Sequence, residues 1–253
     1  GRVGGVVLEV GTELLAPVVA SNADANVTFL KLTDPKELPA DFVAAIKSID
    51  YNSASLKINV LLSELPDFTA RPGAPGPQHR GTVHICPDFD TLERAYDDAK
   101  YGEPSRTPIL EMTIPTVVDD TLAPPGTHLV SMFVQYAPDK LRTGTWDDRR
   151  EAFADRCFEV LDQYAPNFRR SVLARQVLTP LDIERVYGLT GGNIFQGAVS
   201  LHQLFNLRPV PGWSDYRTPI RGLYVCGSAA HPGGGVMGAC GRNAAREMLQ
   251  DGK

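Results

Sequence analysis

The chain has little cysteine and no cysteine in pairs. Its 253 residues hold four, Cys86, Cys157, Cys226 and Cys240, with no CxxC spacing and no histidine at ligand spacing. That argues against a zinc site or a redox dithiol, so no metal is expected, and scattered cysteines suit a reducing compartment. A basic run is also missing, and the formal charge is a mild −5, which excludes a nucleic-acid surface or an anionic-membrane anchor. No apolar stretch approaches the roughly 20 residues of a spanning helix, so the chain is not expected to be transmembrane. The opening residues, GRVGGVVLEVGTELLAP, are broken by Glu9 and Glu13 and make no signal peptide. With no initiator methionine and a start inside a strand pattern, the chain is expected to be a fragment or a processed product. GxGxxG, the cradle for a dinucleotide pyrophosphate, is absent as well; the nearest approach, GRVGG, precedes a strand where the motif would follow one.

What is present suits a globular protein. Hydrophobic residues make up 43% and charged residues 22%, enough for one large core or two small ones. Val6, Leu8 and Val10 alternate toward a turn at Gly11-Thr12, which reads as a hairpin, and a further strand runs to about Ala20. Phe42, Ala45, Ile46 and Ile49 fall at helical spacing. Leu56, Ile58, Val60 and Leu62 share one face of a strand, RPGAPGPQ is a loop, and strands at TVHIC, PILEMTIPT, THLVSMFVQYAP and SVLARQVLTP alternate with helices over 91–100 and 146–164. The 146–164 helix has Thr145 as N-cap, Pro166 as its stop, and an apolar stripe of Phe153, Cys157, Val160, Leu161 and Tyr164. Sheet plus helices in the middle, with other pieces at both ends, predicts an α/β (mixed α+β) chain. One domain is made of 1–32 and 186–253, with a second, 33–185, inserted.

The densest signal is RGLYVCGSAAHPGGGVMGACGRNAARE, residues 221–247. Leu223, Tyr224 and Val225 read as a buried strand, and Gly227 lets the chain leave it tightly. Gly233, Gly234 and Gly235 place bare backbone where a ligand approaches. A helix predicted from about Val236 to Gln250 aims its N-terminal N–H groups at the same place. Gly238, Gly241, Ala244 and Ala245 keep that helix slim. The plainer reading is a strand–turn–helix that only packs.

LYVCGSAAHPGGGVMGACGRNAA resembles the C-terminal flavin motif of the phytoene desaturase-like and amine oxidase-like flavoproteins. VVASNADANVTFLKL, TLAPPGTHLVSMFVQYAP, YAPNF, LTPLDIERVYGLTGGNIFQGAVSLHQLF and RPVPGWSDYRTPIRGLYVCG resemble them in the same order, so the likeness covers essentially the whole chain. It implies an FAD-dependent oxidoreductase, represented by its C-terminal half. The ends would then form the closing part of a Rossmann-like FAD domain, and the middle a mixed-sheet substrate domain. The backbone at Gly227, Gly235, Val236 and Met237 would meet the flavin end, with Gly233 and Gly234 in the same grip. Ser228 stands where relatives often carry an acidic residue. His231-Pro232 would lie beside the ring, with His231 as the candidate catalytic group, polarising the ring or handling a proton; the alternative is that it orders the loop. Asn193 would reach the flavin edge, and His202 would face the flavin or the substrate channel unless it is a core histidine. Tyr136 and Tyr187 read as core, His84 and His128 as structural, and Arg242 and Asn243 as a cap or salt bridge.

The resemblance further implies a GxGxxG-bearing N-terminal half, or a separate chain supplying it, and FAD binding that is weak or absent without it. An exposed apolar face with Val225, Cys226, Val236 and Met237 on or near it is expected, through which the chain would form a homodimer, aggregate or hold its N-terminal half as a separate subunit, and the substrate is expected to be hydrophobic. A bacterial protein would be cytoplasmic and a eukaryotic one would lie in the mitochondrial matrix. The alternative from another class is a non-catalytic interaction protein that keeps the fold.

Overall fold

The structure, a computed structural model, describes residues 1–252. Its strands and α-helices run β1 (Gly5–Val7), β2 (Glu13–Leu15), β3 (Val19–Ser21), α1 (Ala40–Lys47), β4 (Ser55–Leu62), β5 (Val83–Ile85) and α2 (Phe89–Lys100). They continue with β6 (Ile109–Thr113), β7 (His128–Gln135), α3 (Trp146–Asp162), α4 (Phe168–Ser171), β8 (Val172–Leu178), α5 (Pro180–Tyr187), β9 (Leu223–Val225) and α6 (Ala239–Asp251). Contacts divide the chain into two compact units. One is Gly1–Asn52 together with the chain from Glu184 onward, and the other is Ser53–Ile183.

In the first unit, β3 and β9 pair in parallel, with Val19 opposite Leu223 and Ser21 opposite Val225. About 200 residues separate these partners in sequence, so nothing local specifies the pairing. β1 and β2 form a small antiparallel hairpin whose Val7, Val10 and Leu15 are exposed. Two assignments from the sequence change here. Residues 33–52, expected in the middle domain, belong with the ends. The reason is aromatic packing: Phe42 of α1 lies edge-on to Phe29 at 4.9 Å and to Trp213 at 5.0 Å between ring centroids, and Ile46 is fully buried in the same cluster. Val225, expected on an open face, is buried at 1% exposure along with the rest of β9.

Phe42→Ala should therefore destabilise this unit by about 3–5 kcal/mol through a large core cavity. Denaturant unfolding followed by Trp213 fluorescence, in a Trp146→Phe background that silences the other tryptophan, checks it.

The second unit is a five-stranded antiparallel sheet, ordered β5-β6-β7-β4-β8. Alternation gives it two faces. Leu56, Ile58, Val60 and Leu62, with Val130, Met132 and Val134 of β7, pack into one cluster with Phe153, Cys157, Phe158 and Leu161 of α3. Burial pushes the Cys157 thiol far above the usual cysteine range, so it is a packing residue. Thr145 is the N-cap of α3, but its hydroxyl donates to Asp148 at 2.8 Å and caps no backbone N–H.

A candidate cofactor loop after β9

β9 delivers the glycine loop. The Cys226 N–H adds a further bond to the Ser21 carbonyl at 2.9 Å, and the chain then turns, with the Ala230 N–H donating to the Gly227 carbonyl at 3.0 Å. Gly227 is required by close approach: a Cβ there would stand 2.4 Å from the Asn22 carbonyl oxygen. Ala229 and Ala230 are buried, and Ser228, His231 and Pro232 are half-buried. Gly233 is buried and Gly234 lies under Phe195, whose ring a Cβ would meet at 2.8 Å. From Gly235 the loop emerges: Gly235, Val236 and Met237 are exposed. α6 begins at Ala239, three residues later than its apolar pattern suggests, because Gly238 takes a left-handed conformation (φ 66°) as N-cap. The first N–H groups of such a helix have no partner within it. The Cys240 thiol donates to the Gly233 carbonyl at 3.3 Å and pins the loop to the first turn of α6.

Beneath the loop lies Arg208, which sequence reading missed. It is 3% exposed. Its Nε donates to the Gln203 carbonyl at 2.7 Å, Nη1 to the Phe195 and Ser228 carbonyls at 2.9 and 2.7 Å, and Nη2 to the Gly197 carbonyl at 2.6 Å and, more weakly, to Ala198 at 3.4 Å. Five N–H donors meet five backbone carbonyls, and among the described residues no carboxylate pairs with the guanidinium. Burial lowers its affinity for its proton. One side chain thus ties segment 195–203 to the loop at Ser228. Gln196 makes a second tie: its Nε2 donates to the Asn22 carbonyl at 2.8 Å, and its Oε1 accepts from the Ala229 N–H at 2.9 Å.

His231 has an orphan. Its Nδ1 is buried with no hydrogen-bond partner among the described residues. Its ring sits edge-on to Tyr216, whose hydroxyl accepts from Asn243 Nδ2 at 2.8 Å. Asn243 therefore braces the wall beside His231.

Asn193, expected at a flavin edge, commits its amide to main-chain groups. Nδ2 donates to the Asn52 carbonyl at 3.0 Å, and Oδ1 accepts from the Phe195 N–H at 2.9 Å. Asp24, another residue the sequence did not single out, accepts from the Val27 and Thr190 N–H groups at 2.8 and 2.9 Å and anchors the same segment. Beside it, burial first and the Asp24 charge second hold the Tyr51 phenol far above the usual tyrosine range. His202 and Tyr187 are exposed, so neither is a core residue. His84 is also exposed, 3.8 Å from Glu111. Ile194 and Phe195 are exposed like Val236 and Met237, so the loop and the 193–205 segment both present apolar side chains.

The arrangement offers bare backbone, a helix N-terminus, an unpartnered imidazole nitrogen and apolar surface. Among the described residues, no group of three or more His, Cys, Asp or Glu could hold a metal ion, and no helix is long and apolar enough to cross a membrane.

No protein-family model matches the chain. It is 52% identical over 258 residues to pyridine nucleotide-disulfide oxidoreductase domain-containing protein 2 of Rattus norvegicus, a match covering 99% of this chain and 44% of that protein. It is 27% identical over 262 residues to the lycopene-forming phytoene desaturase of Pantoea ananas, covering 99% of this chain and 48% of that one. Its fold matches that of an oxidoreductase from Methanosarcina mazei at a TM-score of 0.58 and 19% identity, over 98% of this chain and 46% of that chain. The chain thus spans about half the length of the curated relatives it matches. It is a mixed α/β protein related, along nearly all of its own length, to pyridine nucleotide-disulfide oxidoreductase domain-containing protein 2.

Proposed function

We propose that the chain is part of an FAD-dependent oxidoreductase and that residues 227–238 are its grip on the flavin end of the cofactor. The observation that carries this is the open end of the glycine loop. Gly235, Val236 and Met237 are exposed there, ahead of the first turn of α6, and the loop also carries the buried, unpartnered Nδ1 of His231, in a chain whose relatives are named as oxidoreductases and desaturases. These residues fit one end of a flavin: no Cβ blocks the approach at Gly235, and the unpartnered nitrogen supplies a polar handle. A bound flavin would supply hydride-acceptor chemistry. The chain's own residues place it, and apolar side chains such as Ile194, Phe195 and Met237 keep water from it. His231 is the candidate for holding a proton beside the ring. Ser228 leaves the loop without a carboxylate, and its carbonyl is committed to Arg208.

The pyrophosphate cradle then belongs to other sequence, in a longer polypeptide or a partner chain. Losing that cradle removes several charge-assisted hydrogen bonds worth about 1.5–3 kcal/mol each, so this chain alone should bind FAD too weakly to retain it. The substrate is hydrophobic.

Purification tests this. Full-length protein should be yellow with stoichiometric flavin, and the isolated 253-residue chain colourless. A colourless, well-folded full-length protein would overturn the reading and favour an interaction protein.

A further inference from the structure

The second unit's sheet has a face that its hydrophobic core does not use. On it, the strand registers place His84, Glu111, Phe133, Lys57 and Leu178 in one row across all five strands. The adjoining row is Thr113, Ser131, Asn59 and Gln176. Phe133, Lys57 and Leu178 are half-buried, as are Ser131 and Asn59. Most charges in this part of the fold are answered: Arg175 pairs with Glu151 and Asp155, and Glu111 faces His84. Lys57 is not. Its ammonium donates to the Ser131 hydroxyl, and among the described residues no carboxylate comes within ion-pair distance of it. Glu111 is two strands away, roughly 10 Å by strand spacing. Partial burial alone already holds this lysine below the usual range, so a desolvated cation stands at the centre of the face with two ammonium hydrogens to spare.

We propose that this row binds a small organic acid with an apolar body: the carboxylate on Lys57 and Ser131, the body along Phe133 and Leu178. Charge complementarity selects the occupant. A partly desolvated ammonium without a counter-ion gains most from a carboxylate that brings its own charge, and the flanking phenyl and leucine side chains favour an apolar chain or ring. A neutral hydrocarbon would leave Lys57 unanswered. The hydroxyl of Ser131 and the amide of Asn59, itself bonded to Gln176 at 3.0 Å, give the polar end a hydrogen-bonding border. The inference rests on the oxidoreductase reading only in taking the occupant as substrate; the binding itself does not depend on flavin.

A fluorescent conjugated polyene fatty acid and its methyl ester, titrated separately into the full-length protein, test it. The two probes share a body and differ in charge. The acid should bind at least tenfold more tightly than the ester. Lys57→Met should bring the ratio close to one by weakening the acid alone, and Lys57→Arg should keep most of it. Equal affinities in the unaltered protein, a ratio untouched by Lys57→Met, or binding of neither probe would each overturn the proposal. Flavin content is read on the same samples: a flavin-free protein that still prefers the acid would sink the oxidoreductase reading and leave this site standing.

Discussion

Arg208→Met should cost the first unit about 3–5 kcal/mol and strip the full-length protein of its flavin. The guanidinium is the partner of five carbonyl groups on two chain segments. Methionine fills much of its volume but donates nothing. Each buried acceptor left unmade costs about 1–3 kcal/mol, and entry of a water molecule or two recovers part of the sum. What survives has lost the Arg208 tie between Ser228 and the 195–198 segment and keeps only the Gln196 bond to Ala229, so the glycine loop is held less firmly against Phe195. Arg208→Lys restores the charge without the planar fork that serves five acceptors, so it should fall between the two. Unfolding followed by Trp213 fluorescence and bound flavin per chain are the readouts. A methionine variant as stable as the parent would show that the carbonyls find other partners and that the arginine is incidental.

Gly227→Val should be the most damaging change in the loop, and Gly227→Ala nearly as bad. The first added carbon already stands 2.4 Å from the Asn22 carbonyl oxygen and 2.8 Å from Gln196 Oε1. The first is main chain and cannot swing aside, so the β3–β9 junction must open. The expected loss is about 3 kcal/mol, the upper end for overpacking. Gly241→Ala is the control in the same segment. Nothing lies within 4 Å of its added carbon, and the residue is inside α6, so alanine should raise stability by about 0.5–1 kcal/mol. If both substitutions had the same effect, close approach at Gly227 would not be the reason for its glycine.

Where a local pattern decides the structure, the sequence showed it. The period-two run of β4 buries the residues that alternation selects, and the α3 stripe of Phe153, Cys157 and Leu161 is buried. The strand–glycine–helix order of 223–251 is visible too, although α6 starts later because Gly238 is left-handed. What was not legible depends on distant partners. The apolar stripe of α1 looks the same whichever unit it joins, and only Phe29 and Trp213 decide. Arg208 escaped notice because its partners are main-chain carbonyls, which every residue carries, so no spacing announces them. Asn193 was noticed, but its amide turned out to brace the chain at Asn52. Polarity and position within a motif could not tell a side chain free to meet a ligand from one committed to the main chain.

The central claim is that residues 227–238 grip a flavin, and Gly235→Val in the full-length protein tests it most directly. Gly235 is exposed, with φ at 146°, and its added carbon would meet only the flexible end of Met237, at 3.0 Å. Backbone strain should cost about 1–3 kcal/mol, too little to unfold the protein. The new methyls would stand where the cofactor must come close to the chain. The measurement is bound flavin per folded molecule, taken beside a denaturation curve. The expected result is a loss of at least tenfold in flavin affinity with most of the fold retained. A variant that melts earlier yet carries its full complement of flavin would contradict the grip and leave the loop as packing alone.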